Sequence, residues 1–169
     1  MSTLTANAHW RRWLWITAAV IAADQLTKAA ILATLNEGDG RAVTGFFSLV
    51  LTFNTGAAFS FLATASGWQR WLFAAIAVVA AVLIVTLLRR GGRALYSAGL
   101  ALILGGALGN LYDRLALGKV VDFLLFHYAG WTYPAFNIAD SAITIGAVLV
   151  IAESFRRQRP NPAAAAKGV

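Results

Sequence analysis

Four stretches of the chain are apolar almost without interruption: Trp13–Leu35, Trp71–Leu88, Leu95–Leu115 and Ile138–Phe155. Each reaches the ~18 residues that an α-helix needs to cross the hydrocarbon of a bilayer. The pattern predicts four transmembrane helices, the second and fourth at the short end of the range. The first is too long for the apolar core of a signal peptide, lacks a clear small-residue cleavage site and is followed by three more spans, so it reads as a retained helix. Between the first two spans, "FFSLVLTFNTGAAFSF" (46–61) alternates around Leu49, Leu51 and Phe53. That is the period of a half-buried strand, and the small residues Thr55-Gly56-Ala57-Ala58 end it. A small sheet on the membrane surface is predicted there. "RRGGR" (89–93) reads as a tight turn, and the partly apolar segment 116–137 as a loop lying along the interface. The tail from Gln158, "QRPNPAAAAKGV", is of low complexity and is predicted to be disordered. In the third span Ala101, Gly105 and Gly109 recur every fourth residue, with Gly106 beside them, a spacing that lets helix backbones approach closely. No inverted repeat of the transporter kind is visible.

Composition agrees with the pattern. Of the 169 residues 59% are hydrophobic and only 12% are charged, against ~25% charged in an ordinary soluble domain. The net charge of +7 does not point to nucleic acid, because the basic residues gather at helix ends. Arg11 and Arg12, then Arg89, Arg90 and Arg93, then Arg156, Arg157, Arg159 and Lys167 all fall on one side of a four-span chain. The positive-inside rule makes that side cytoplasmic and turns the loops 36–70 and 116–137 outward. Trp10, Trp13 and Trp15 then mark the inner interface, and Trp68, Trp71 and Trp131 the outer one. The expected architecture is a mainly α membrane protein. A single four-helix domain, residues 1–157, carries a small extracytoplasmic β-sheet and an interfacial outward loop, and a cytoplasmic tail, 158–169, follows. The chain has no cysteine, which excludes disulfides, thiolate metal sites and a cysteine nucleophile.

Four polar groups stand where hydrocarbon penalises them. A charge near the centre of a span costs about 2.5–3.5 kcal/mol on insertion scales. Asp24, Gln25 and Lys28 lie in the first helix; Asp24 and Lys28 are one turn apart and read either as a self-paired bridge or as support for a polar site. Asn110, Asp113 and Arg114 share a face at the outward end of the third helix, as a structural ion pair or as groups that hydrogen-bond a peptide backbone. Asp122 sits in the apolar run "KVVDFLL". Asn137 and Asp140 open the fourth helix, where Asn is a good N-cap and an acid at the third helical position completes a capping box. The predicted topology puts Asp122 and Asp140 on the same outer rim. Two carboxylates in a partly dry site suit general acid–base work, one ionised to activate water and one protonated to polarise a carbonyl. The chain offers no HExxH, GxSxG or phosphate-binding loop as rival machinery; His9 lies in the inner tail, and His127 has no evident metal partners.

These motifs, in this order, resemble the bacterial lipoprotein signal peptidase family, also called signal peptidase II. The likeness runs through "DQLTK" (24–28), "FNTGAAFS" (53–60), "GGALGNLYDR" (105–114), "VVDF" (120–123) and "FNIADS" (136–141). The resemblance implies an intramembrane aspartyl endopeptidase of four transmembrane helices in the bacterial inner membrane, with both termini cytoplasmic and the active site near the outer face. It implies cleavage of prolipoproteins on the N-terminal side of a diacylglyceryl-modified cysteine. Asp122 and Asp140 would be the catalytic pair, with Asn54, Asn110, Arg114 and Asn137 lining the substrate site and Asp24, Lys28 and Asp113 in support. No metal or organic cofactor is implied, and no nucleic acid or obligate protein partner; the expected partners are the lipidated substrate and membrane lipids. A proton-coupled transport subunit is the alternative, since intramembrane Asp, Lys and Arg also build relays. It calls for charges spread through the membrane's depth, and apart from Asp24 and Lys28 they gather at the outer end. A lipid-binding scaffold, the third class, has no need of two acids on one rim.

Overall fold

The computed structural model describes residues 9–56 and 67–157. The predicted disordered tail, and the Ala57-Ala58 end of the predicted strand break, lie outside the described residues. A 3-10 turn, His9–Trp13, leads into α1, Leu14–Thr34; α2 is Trp68–Arg90, α3 is Ala94–Leu117 and α4 is Ile138–Arg157. All four are long and apolar enough to cross a membrane. Both α2 and α3 run past the predicted spans. Trp68, Gln69, Arg70, Arg89 and Arg90 lower the local hydropathy without interrupting helical hydrogen bonding, so an apolar window ends before the helix does. The exposed faces carry large apolar side chains such as Val79, Val82 and Leu83 on α2 and Val148 and Ile151 on α4, as lipid contact requires.

Four strands form one antiparallel sheet in sequence order: β1, Gly40–Thr44; β2, Phe47–Asn54; β3, Val120–Tyr128; and β4, Trp131–Thr132. β2 is the strand the alternation predicted. The second outward segment, expected as an interfacial loop, supplies β3 and β4 of the same sheet. Its strand character was hidden because Val120, Val121, Asp122 and Phe123 are buried in succession, which erases the alternation. Gly118 aims β3. It ends α3 in the left-handed region, φ +78°, and its N–H returns to the Arg114 carbonyl at 3.2 Å. A residue with a Cβ is strained there, and the turn sends the chain from helix into strand within three residues. β3 pairs with β2 so that Asp122 stands opposite Thr52 and Val120 opposite Asn54, with a bulge in β2 between Leu49 and Thr52.

α3 is the central helix, packing against each of the other three. The glycines expected to allow close packing do so on two sides. A Cβ on Gly105 would stand 2.7 Å from Val20 Cβ of α1, and one on Gly106 would overlap the Ala139 carbonyl of α4. Gly99 and Gly146 extend the α3–α4 contact: a Cβ on either would come within 2.8 Å of the other's carbonyl oxygen. Two apolar clusters complete the core. Ile31, Leu51, Val121 and Phe123 fasten the sheet to α1, and Ile84, Leu88, Leu100 and Leu104 join α2 to α3. Gly106 meets the first turn of α4, so its size sets where that turn sits. Gly106→Ala is expected to destabilise the protein by about 1–3 kcal/mol, the usual cost of overpacking. Gly45→Ala, whose Cβ meets nothing within 4 Å, should be nearly neutral. Unfolding of the two variants in micelles, followed by tryptophan fluorescence, makes the comparison.

Candidate active site

The site forms where the outer end of α3, the start of β3 and the first turn of α4 meet. Its centre is Asn137, fully buried. The local chemistry of "FNIAD" is a complete capping box. The Asp140 N–H donates to Asn137 Oδ1 at 2.9 Å, and the Asn137 N–H donates to Asp140 Oδ2 at 3.3 Å. Each residue satisfies a backbone donor that the helix leaves over. The Ser141 hydroxyl and N–H both return to the Asn137 carbonyl. The capping reading of Asp140 is therefore correct, and it also aims the carboxylate, because the cap fixes one oxygen.

The remaining polar atom of the Asn137 side chain ties the cap to β3. Nδ2 donates to Asp122 Oδ1 at 2.7 Å, to the Val121 carbonyl at 3.2 Å and to Asn110 Oδ1 at 3.2 Å. Asn110, on α3, donates from Nδ2 to Asp140 Oδ1 at 2.8 Å. Asn137 thus contacts both acids, and both Asp140 oxygens accept an N–H. Asp122 is 2% exposed and receives a further hydrogen bond from the Asn54 side chain at the end of β2. Burial pushes the Asp122 carboxyl up from its ordinary 3.8 to about 7, and the negative charge of Asp140 adds to the rise; hydrogen bonds from Asn54 and Asn137 and the charge of Lys28 oppose it. At neutral pH Asp122 is therefore poised between its two forms, the condition for proton transfer in either direction.

Every sequence-predicted site residue belongs to this one neighbourhood. Arg114 donates from Nη1 to the Asn110 carbonyl at 3.2 Å, stacks its guanidinium 5.2 Å from the Phe73 ring of α2, and feels the charges of Asp140, Asp122 and Asp113. Asn54 Oδ1 accepts the Gly56 N–H at 2.7 Å, which turns the chain as it leaves β2. Asp24, Lys28 and Asp113 lie behind the pair. Lys28 Nζ is 2.7 Å from Asp24 Oδ2 and 2.8 Å from Asp113 Oδ2. The expected Asp24–Lys28 bridge is present, and it extends to α3. Gln25 acquires a role that its position alone did not assign. Its Nε2 donates to Asp24 Oδ2, Asp113 Oδ1 and the Gly109 carbonyl at 3.1, 3.0 and 3.3 Å. A polar amide beside Asp24 in an apolar helix was the available signal. Phe73 had none, since one more aromatic in a lipid-facing span is ordinary. No cation-binding cluster of three or more His, Asp or Glu side chains occurs among the described residues.

The family model for signal peptidase (SPase) II matches residues 16–156. A lipoprotein signal peptidase of Burkholderia ambifaria is 60% identical over 148 residues, covering 87% of this chain and 89% of that protein. One of Paraburkholderia phytofirmans is 55% identical over 158 residues, covering 93% and 92%. Among solved structures, a bacterial membrane enzyme determined by the in meso method at 2.3 Å resolution superposes with a TM-score of 0.78 at 30% identity, over 89% of this chain and 93% of that one. A second, at 1.9 Å, gives 0.75 at 32% identity over 84% and 91%. The match spans nearly all of the four helices and the whole sheet, and on it this bacterial multi-pass membrane protein belongs to the signal peptidase II family.

Proposed function

We propose that the chain removes the signal peptide from prolipoproteins as an aspartic endopeptidase, with Asp122 and Asp140 as its reacting pair. The observation that carries this reading is the single buried amide of Asn137, hydrogen-bonded on one side to Asp122 and capped on the other by Asp140. That arrangement puts two carboxylates around one space, and nothing in a transport relay asks for it. The relatives named lipoprotein signal peptidase support the substrate class.

The chemistry needs only the pair and a water. Asp140, whose oxygens accept the Asn110 and Asn137 N–H groups, takes a proton from water as the water oxygen bonds to the scissile carbonyl carbon. Asp122, neutral until pH approaches 7, gives its proton to the carbonyl oxygen and so avoids a free oxyanion. The diol then collapses. Asp140 delivers its proton to the departing nitrogen, Asp122 recovers one from a hydroxyl, and the products are a carboxylic acid and an amine. Arg114 and Asn54 border the pair and serve to hold the peptide extended. Asn110 and Asn137 act on the substrate mainly through the carboxyl groups they orient. The substrate cysteine carries its diacylglyceryl chains in the surrounding lipid, which the apolar exterior of α2 and α4 admits. Both termini are cytoplasmic and the pair lies at the outer face, as the arginine clusters at the inner turns require.

Asp122→Asn and Asp140→Asn should each cut cleavage of a diacylglyceryl-modified prolipoprotein by about 10²–10⁴-fold, the range for loss of a general acid or base, while the protein still folds. Near-normal turnover by either variant would end the assignment. The pH dependence has a definite sign. The raised Asp122 pKa means that kcat/KM falls as pH climbs through about 7 and the acid loses its proton. The same shift costs stability: the contribution present below 3.8 is lost as pH rises toward 7. Asp122→Asn keeps the acceptor for Asn137 and removes that charge, so it should melt above the parent protein at pH 8 and converge with it near pH 4. A tag inserted after Gly38, in the tight turn before β1, should be labelled from outside intact cells; labelling only after lysis would reverse the orientation.

A further inference from the structure

Asp24, Lys28 and Asp113 are 0%, 2% and 1% exposed, and the mechanism above uses none of them. One carboxylate is enough to neutralise one ammonium. Here a second is buried with it, one acid more than the pairing of Lys28 needs. The use of the second acid shows in the lone pairs that Lys28 leaves over. Asp113 Oδ2 accepts the Val121 N–H at 3.1 Å, and Val121 immediately precedes Asp122. Asp24 Oδ1 accepts the Ala139 N–H at 2.9 Å, and Ala139 immediately precedes Asp140. Each supporting acid thus holds the backbone amide next to one member of the reacting pair, one on β3 and one on α4. Lys28 holds the two supporting acids to each other, with the neutral amide of Gln25 bridging the same two.

The third donor of Lys28 goes to Asn110 Oδ1 at 3.1 Å. An ammonium only donates, so it accepts only the oxygen end of that amide. The nitrogen end is thereby turned toward Asp140 Oδ1, 2.8 Å away. Asn137 Nδ2 also donates to Asn110 Oδ1, at 3.2 Å, so two donors hold the Asn110 amide in this orientation. Gly109 makes room for the assembly, since a Cβ there would lie 2.8 Å from Asp24 Oδ2.

We propose that Lys28 is a positioning residue for the peptidase reaction: by clamping Asp24 to Asp113 it sets the separation of the Val121 and Ala139 amides, and with them the separation of Asp122 and Asp140, while through Asn110 it points a donor at Asp140. The inference rests on Asp122 and Asp140 being the reacting pair.

The test compares Lys28→Met, Asp113→Asn and Asp113→Ala as purified full-length proteins in micelles, with cleavage of a lipidated prolipoprotein expressed per folded molecule. Gel filtration and tryptophan melting give the folded fraction. Lys28→Met should lower kcat about 100-fold with KM almost unchanged, the effect of a displacement of ~1 Å in the reacting groups. Asp113→Asn retains an oxygen able to accept from both Lys28 and Val121 and should keep most of its turnover. Asp113→Ala leaves the Val121 amide unpaired and should fall as Lys28→Met does. A role in folding alone predicts fewer folded molecules of normal kcat. Parent-like kcat in folded Lys28→Met, or equal kcat in the two Asp113 variants, overturns the proposal. If Lys28→Met does not fold, the Asp113 pair decides. Asp122→Asn and Asp140→Asn run alongside: activity in either one refutes the reacting pair itself, whereas their inactivity with parent-like kcat in Lys28→Met refutes only the positioning role.

Discussion

An ammonium group taken out of water must be given an acceptor for each of its three N–H donors, and the rest of this structure is arranged around meeting that demand for Lys28. Its acceptors are Asp24 on the same helix and Asp113 and Asn110 on α3. Those acids carry lone pairs that must be satisfied in turn, and they are satisfied by the Val121 and Ala139 amides. One buried cation thereby ties α1, α3, the start of β3 and the start of α4 together by hydrogen bonds that have no alternative partner in a dry interior. In water such a network contributes little. In a low-dielectric surround a broken bond leaves an unpaired charge, so geometry is enforced by the cost of every other arrangement.

Helix capping and the candidate active site use the same bonds here. α4 begins with unsatisfied N–H groups, which any helix end must place. Asn137 and Asp140 satisfy two of them reciprocally, and Asp24 satisfies a third from another helix. The acid that closes the cap is left with its carboxylate at the rim, held on both oxygens. Asp122 is treated differently. It is buried beside a like charge, which makes ionisation costly and keeps it near the balance point of its two forms at neutral pH. In the proposed mechanism the two aspartates take opposite duties, Asp140 as the proton acceptor and Asp122 as the proton donor. The cost is a fold that carries a destabilised carboxyl, a trade common at active sites.

Much of this was legible before any coordinates. The four spans follow from apolar runs, because the bilayer imposes a length and forbids unsatisfied backbone. Membership of the helix-packing face was legible in Gly105, Gly106 and Gly109. The polar residues worth attention were found by asking which ones the membrane should not tolerate, and all of them meet at one site. β3 escaped because four successive buried residues, Val120 to Phe123, carry no period-2 signal. A strand covered on both faces cannot be told from an apolar loop by pattern alone. The role of Gln25 and the reach of Lys28 to α3 also escaped, since pairs within one helix can be read from spacing and pairs between helices cannot.

The sequence by itself determined that this chain has four spans long and apolar enough to cross a membrane, and which few polar groups had to find partners. Those follow from the transfer free energy of each side chain, a property that does not wait for the fold. Only the tertiary structure decided who the partners are. Asp113 and Val121 are eight residues apart across a left-handed glycine turn, and Asp24 and Ala139 are separated by most of the chain. The packing of α3 against α1 and α4 brings them within hydrogen-bonding distance, and so it is packing that turns two scattered acids, Asp122 and Asp140, into a pair.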